Sequence, residues 1–209
     1  MKYLTQLIYL RSIRFLLIPL LLAFLAFFLF YGKAESHQMI NQWHFPIGDF
    51  VFKFATYLGD GVLFGILIFA FLFIRLKWGL FFLASSLLTL FTVFVTKKII
   101  FNGIPRPYKY FEGTYDLHLV DGVEMHSMNS FPSGHTITTF AIFMILIFIV
   151  KNRYLHTLFV KIAIIAGFSR VYLSQHFIND VFFGAIIGIC IAVLSCILVD
   201  NLGTVSYTH

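Results

Sequence analysis

Polar residues are so sparse along this chain that they divide it into six apolar stretches, at about residues 12–32, 54–74, 79–97, 134–150, 155–174 and 180–199. A helix needs roughly 20 mostly apolar residues to cross the hydrocarbon layer of a membrane. Each stretch meets or approaches that length, so the pattern predicts six transmembrane helices and an all-α polytopic fold in one membrane domain, residues 1–209. The first stretch follows Lys2, Arg11 and Arg14, as a signal peptide would. Its apolar run from Phe15 to Tyr31 is too long for that role and lacks a small-residue cleavage site, so it reads as a retained span. Residues 33–53, KAESHQMINQWHFPIGDFVFK, alternate polar and apolar groups and carry Trp43, Phe45, Phe50 and Phe52. That alternation predicts a helix lying on the membrane surface, with guidance of a lipid as a second reading. The end, NLGTVSYTH, reads as a short tail.

Composition supports the same class. Of 209 residues 60% are hydrophobic and 11% charged, mean hydropathy is +0.91, and 28 residues are Phe. A soluble domain of this size could not hide so much apolar surface. The net charge of +6 resides in short basic clusters between apolar runs, without the aromatic-interleaved patch of a nucleic-acid binder. Phosphates and anionic lipid head groups are the partners such clusters fit, and no nucleic acid is expected. Cys190 and Cys196 are six positions apart, about 600° around a helix, so they face different ways and indicate neither a disulfide nor a metal pair.

Short basic connections mark the cytoplasmic side of a membrane protein. The N-terminus (Lys2, Arg11, Arg14), the 2–3 connection (Arg75, Lys77) and the 4–5 connection (Lys151, Arg153) all fall on one side of a six-span chain. Residues 33–53, residues 98–133 and the turn near His176 to Asn179 then share the opposite side, expected to be periplasmic or extracellular.

Three polar groups collect on that outer side, where ionisable residues at membrane depth carry a cost that function repays. The first is KKIIFNGIPRPY, residues 97–108, in which Pro105 and Pro107 stiffen the backbone around Arg106. Lys98, with Lys97 beside it, ends the third span; positive charge on the outer side runs against the inside rule. The second is FPSGHT, residues 131–136. There Pro132 stops a preceding helix, Ser133 is an N-cap, and Gly134 and His135 form the first turn, whose free N–H groups suit an anion. The bland alternative is a capped membrane helix with His135 reaching to water. The third is SRVYLSQHFIND, residues 169–180. His176 and Asp180 are four apart and share a helical face, so the carboxylate can fix the imidazole tautomer. Arg170 sits in the last turn of the preceding span with its fork available to phosphate oxygens. A buried salt bridge is the competing explanation. Taken together, two His, one Asp, several cations and a helix N-terminus fit phosphoryl transfer. No Cys or His set has metal-ligand spacing, so no metal or other cofactor is expected.

In these residues the chain resembles the type 2 phosphatidic acid phosphatase (PAP2) family, whose fold is shared with vanadium haloperoxidases. The family's second motif stands here as Pro132-Ser133-Gly134-His135. Its third stands as Ser169-Arg170, five residues, His176, three residues, Asp180. The first motif, a Lys separated from Arg-Pro by six residues, is matched with one extra residue, seven lying between Lys98 and Arg106-Pro107; Lys97 leaves two extra. The resemblance implies that His176 attacks phosphorus to form a phosphohistidine and that Asp180 orients it. His135 protonates the leaving oxygen and then activates water, while Lys98, Arg106, Ser133, Gly134 and Arg170 bind the phosphate. The residues alone do not choose which His attacks.

The expectation is therefore a metal-independent lipid phosphatase of the bacterial cytoplasmic (inner) membrane, with its site facing the periplasm or cell exterior and no obligate protein partner. Its substrate is a lipid phosphate: undecaprenyl diphosphate, phosphatidylglycerophosphate, phosphatidic acid or a lipid A phosphate. A transporter or channel with an outer-face anion site is the alternative, and a soluble haloperoxidase is disfavoured by the spans. A purely structural membrane protein is the third rival. Asp60 in the second span needs a partner, in the site or in helix packing. His37, His44, His118 and His126 read as exposed loop residues, Tyr108, Lys109 and Tyr110 as loop packing, and Tyr172 and Gln175 as structural lining of the last hairpin.

Overall fold

A computed structural model describes residues 2–202; the last seven residues of the tail lie outside the described residues. Apart from an isolated bridge between Pro105 and Met128, the regular structure in this range is helical. Helix α1 (Lys2–Tyr9) leads through a π turn, Ile13–Leu17, into α2 (Ile18–Gln42). Pro46 then starts α3 (Pro46–Ala55), where its missing N–H costs nothing. A 3-10 turn, Thr56–Gly59, and an extended Asp60 lead into α4 (Gly61–Ile74). An extended Arg75 separates α4 from α5 (Leu76–Phe94), which runs on as a π turn, Val95–Ile100. After a long loop carrying the one-turn α6 (Pro107–Tyr110) come α7 (Gly134–Ile149), α8 (Arg153–Tyr172) and α9 (Ile178–Asn201).

All six predicted apolar stretches are helical, but they are not six equal spans. Among the described residues, four helical segments are long and apolar enough to cross a membrane: Ile13–Gln42, Leu76–Ile100, Arg153–Tyr172 and Ile178–Asn201. The pair Pro46–Gly59 and Gly61–Ile74, bent by 54° at Asp60, is together long and apolar enough for a fifth. The remaining stretch, the fourth in chain order, is α7, with only 16 residues, about 24 Å of helix against a hydrocarbon layer of about 30 Å. It is the axis of the bundle instead: Ile137, Ala141, Ile142, Met144, Ile145 and Ile147 are wholly buried. Helices α9, α8 and α5 surround it.

Close approach of α7 and α9 depends on two glycines one turn apart. A Cβ on Gly184 would lie 3.0 Å from the Ser133 carbonyl oxygen, and one on Gly188 would lie 2.5 Å from that of Ile137. Small residues at this spacing let membrane helices meet backbone to backbone. The contact brings the first turn of α7 against the first turn of α9, where the Ser133 N–H donates to the Asp180 carbonyl at 3.1 Å.

The surface helix expected over 33–53 is two pieces. Helix α2 breaks at Gly32, whose φ of 72° is left-handed, and resumes through Gln42; α3 follows after Trp43–Phe45. Ser36, His37 and Asn41 of the first piece are buried. At the other end of the bundle the three basic segments meet: Arg11 and Arg153 line one cavity, and Lys77 pairs with Asp200 at 2.7 Å. They lie opposite the three polar groups, as the charge pattern requires.

Candidate active site

Three segments converge at the end of the bundle opposite the basic segments. The first turn of α7 supplies Ser133, Gly134 and His135. Ser133 is fully buried and caps the helix, its Oγ accepting from Thr136 N at 3.3 Å and Thr136 Oγ1 at 2.8 Å. Those bonds use its lone pairs and leave its own O–H proton to donate. Capping and anion binding are therefore compatible, and the two readings of FPSGHT are not exclusive.

The hairpin between α8 and α9 supplies Arg170, His176 and Asp180, all nearly inaccessible to solvent. Helix α8 closes onto itself: the backbone N–H groups of Gln175 and His176 both donate to the Arg170 carbonyl at 3.0 Å. Ser174, at a φ of 52°, turns the chain. Asp180 begins α9 as a carboxylate at a helix N-terminus. Its Oδ2 accepts from Phe177 N at 3.1 Å and from Ser130 Oγ, and lies 3.4 Å from His176 Nδ1. That pairing assigns the His176 proton to Nδ1 and leaves Nε2 as the basic nitrogen. Burial holds the His176 pKa well below the usual imidazole range, and the charges of Arg106, Lys97 and Arg170 press it the same way. At neutral pH this ring is an uncharged base.

The loop from residue 101 to 133 folds over these groups. Arg106 is fixed by donation from Nε to the Met128 carbonyl at 3.0 Å and from Nη1 to the Gln175 carbonyl and Oε1, each at 3.3 Å. Burial also lowers its pKa. Arg170 donates from Nη1 to Thr56 Oγ1 and from Nη2 to Gln175 Oε1 at 3.4 Å, while its buried Nε has no partner.

Lys98 is not brought into this group. It is exposed, and the lysine that turns inward is Lys97. Lys97 Nζ donates to the Asn129 carbonyl at 2.9 Å, within electrostatic reach of Arg106, Asp180 and Arg170. The cause is the π turn Val95–Ile100, closed by Phe101 N to Thr96 O at 2.7 Å, a five-residue step. A π turn accommodates an inserted residue by rotating the helix face, so the extra spacing before Arg106 is absorbed in the helix rather than in the loop.

Beside these groups opens a cavity of about 360 Å³, with Arg170, His135 and Gln175 in its wall and Lys53, Asp60, Glu124 and His126 around them. Asp60 thus lies at the site, at the kink between α3 and α4. Several residues were not legible as site components. Ser130 holds Asp180, Thr56 holds Arg170, and Gln175 touches both arginines; only the flanking motifs hinted at any of them. Two histidines expected to be exposed are held: His37 is buried with Nε2 3.2 Å from Ser174 Oγ, and His118 pairs with Asp49 at 3.1 Å. Tyr172 donates to the same Asp49 at 2.7 Å. His126 lines the cavity.

The model of the PAP2 superfamily matches residues 78–203, which is more than half of the chain and includes Lys97, Arg106, Ser130, Ser133, Gly134, His135, Arg170, Gln175, His176 and Asp180. Among solved structures, LpxE of Aquifex aeolicus superposes with a TM-score of 0.68 at 28% identity, covering 78% of this chain and 93% of that one. The transmembrane PAP2 type phosphatidylglycerolphosphate phosphatase from Bacillus subtilis shares the fold, with a TM-score of 0.59 at 22% identity over 91% of this chain and 98% of that one. No curated protein sequence matches the chain. On the extent of the family match and the likeness of fold, the chain belongs to the PAP2 superfamily and is a membrane phosphatase of that family.

Proposed function

We propose that this chain hydrolyses the phosphate ester or diphosphate of a membrane lipid through a phosphohistidine formed on His176. The observation that carries this reading is the pairing of His176 Nδ1 with Asp180 Oδ2, which leaves an uncharged Nε2 among three cations. The enzyme is a membrane lipid phosphatase, and its residues divide the work as follows. Arg106, Arg170, Lys97 and the free N–H of Gly134 bind the phosphoryl oxygens and hold the charge of the pentavalent transition state, with Ser133 donating its hydroxyl proton. The Nε2 lone pair attacks phosphorus as the bond to the lipid oxygen breaks. The imidazole proton on Nδ1 stays on the ring, where Asp180 stabilises the charge that develops.

His135, in the cavity wall, gives its proton to the departing lipid oxygen. The arriving phosphate, an anion beside that ring, favours the protonated form needed for this step. Neutral again, His135 takes a proton from water as the water oxygen attacks phosphorus, and the P–N bond breaks to release phosphate and restore His176. The site lies at the end of the bundle opposite the basic connections, so it faces the periplasm or cell exterior of a bacterial cytoplasmic membrane. The cations of the site, Lys97, Arg106 and Arg170, gather at one end of the bundle rather than along a path through it, which favours an enzyme over a transporter.

The test is phosphate release by purified protein in micelles, with EDTA present, from a panel of undecaprenyl diphosphate, phosphatidylglycerophosphate, phosphatidic acid and lipid A. Activity on at least one is expected, falling by about 10³-fold or more in His176→Ala with the protein still folded. Full activity in that variant refutes the nucleophile.

A further inference from the structure

The Arg170 guanidinium is buried and that of Arg106 half-buried, and two like charges brought to one recess repel each other unless a shared acceptor holds both. In this protein the side chain of Gln175 does so. Its Oε1 accepts from Arg106 Nη1 at 3.3 Å and from Arg170 Nη2 at 3.4 Å. Its Nε2 donates to the Glu124 carbonyl at 3.0 Å and lies 3.1 Å from Met125 Sδ. One amide therefore ties the loop that carries Arg106 to the hairpin that carries Arg170 and His176. Gln175 is itself 1% exposed, so water does not compete for these bonds.

We infer that Gln175 is a positioning residue, aiming the two arginines at one point and so setting the affinity of the site for the phosphoryl group. The inference rests on the phosphatase reading above. A neutral amide oxygen suits this task because it attracts both cations without cancelling either charge. A carboxylate in its place would form ion pairs with them and oppose an incoming phosphate. An apolar side chain of the same length would fill the space and release both guanidiniums. Their remaining donors, including the unpartnered Arg170 Nε, would then no longer be held toward one ligand.

The experiment compares wild type with Gln175→Met and Gln175→Glu, using phosphatidic acid as lipid substrate and orthovanadate as a phosphate-like inhibitor. Elution as a single species and the thermal midpoint report folding separately. Gln175→Met is expected to lose 10- to 100-fold in kcat/KM and to raise the vanadate inhibition constant by at least 10-fold. Gln175→Glu keeps both acceptor contacts and is expected to raise KM and the vanadate constant by at least 10-fold, with a smaller change in kcat. Values within threefold of wild type in a folded Gln175→Met overturn the proposal. Should that variant not fold, an unchanged vanadate constant in Gln175→Glu overturns it. If wild type releases no phosphate from phosphatidic acid, the panel lipid that it does hydrolyse replaces it. Activity on none of them, or full activity in His176→Ala, defeats the phosphatase mechanism instead and is thereby distinguished from failure of this inference.

Discussion

Lys97 and Lys98 carry the same charge one residue apart, and loop arithmetic favours Lys98. The π turn over Val95–Ile100 sends Lys97 toward Arg106 and Arg170 and leaves Lys98 exposed. The perturbation is Lys97→Met against Lys98→Met, since Met keeps much of the length and apolar stem and removes only the ammonium. A unit charge about 5 Å from a phosphate oxygen, at an effective dielectric near 20, interacts by about 3 kcal/mol. Hydrogen bonds to charged groups contribute about 1.5–3 kcal/mol.

Part of that interaction exists before substrate binds, because Lys97 already donates to the Asn129 carbonyl. The loss to catalysis therefore lies within the lower range, about 10- to 150-fold in kcat/KM. An exposed ammonium screened by water contributes much less, so Lys98→Met should stay within about threefold. The assay is initial-rate phosphate release in micelles at fixed ionic strength over a range of lipid mole fraction. A loss above 10-fold in Lys98→Met, with Lys97→Met near wild type, refutes the rotation argument and restores the loop reading.

Two further outcomes follow from packing and from titration. Gly188→Val places a branched side chain where even a Cβ meets the Ile137 carbonyl at 2.5 Å, so α7 and α9 must separate; a destabilisation of about 1–3 kcal/mol or more is expected as a lower thermal midpoint in micelles, and an unchanged midpoint contradicts the close-contact account. The depressed His176 pKa gives a signed pH effect. The unfolded ring takes up a proton near its ordinary pKa of about 6.5 whereas the folded ring does not, so this contribution is complete above that pH and is lost as pH falls below it, at up to about 1.4 kcal/mol per unit. His176→Gln should flatten this part of the stability profile, and an identical acid slope in both proteins contradicts it.

What the sequence made legible was whatever had local periodicity or fixed spacing. Apolar runs located six helical stretches, and the i, i+4 relation of His176 and Asp180 put them on one face. PSGH marked the start of α7 to the residue. What stayed hidden depended on tertiary rotation or on long-range partners. Nothing local shows that a π turn shifts the facing lysine, that Ser130 reaches Asp180 fifty residues on, or that His37 is buried under Phe111 and beside Phe177. The shortness of the fourth stretch was visible as a number, 17 residues for 134–150, but its meaning was not. An apolar helix that lies at the bundle axis and one that faces lipid have the same composition.

The length of α7 explains how so many charges can sit within a membrane domain. A helix of about 24 Å is shorter than a hydrocarbon layer of about 30 Å, so with one end level with the basic face its first turn would lie below the opposite surface. The space above it is filled by the loop from 101 to 133, whose carbonyls at Met128 and Asn129 accept from Arg106 and Lys97. Lipid could not offer those acceptors, and irregular backbone is tolerated at depth only where protein or a water-filled cavity surrounds it. The recess thus solvates the cations with peptide groups and leaves their remaining donors for a phosphate. A lipid phosphate lies at the depth of the head groups, so under the proposed function it would need only a lateral step into this recess while its chains stay in the bilayer. Lengthening α7 by a turn at its N-terminus would raise Ser133 and His135 by about 5 Å and separate them from Asp180. The brevity of this helix is therefore a requirement of the site, and not a shortfall in a sixth span.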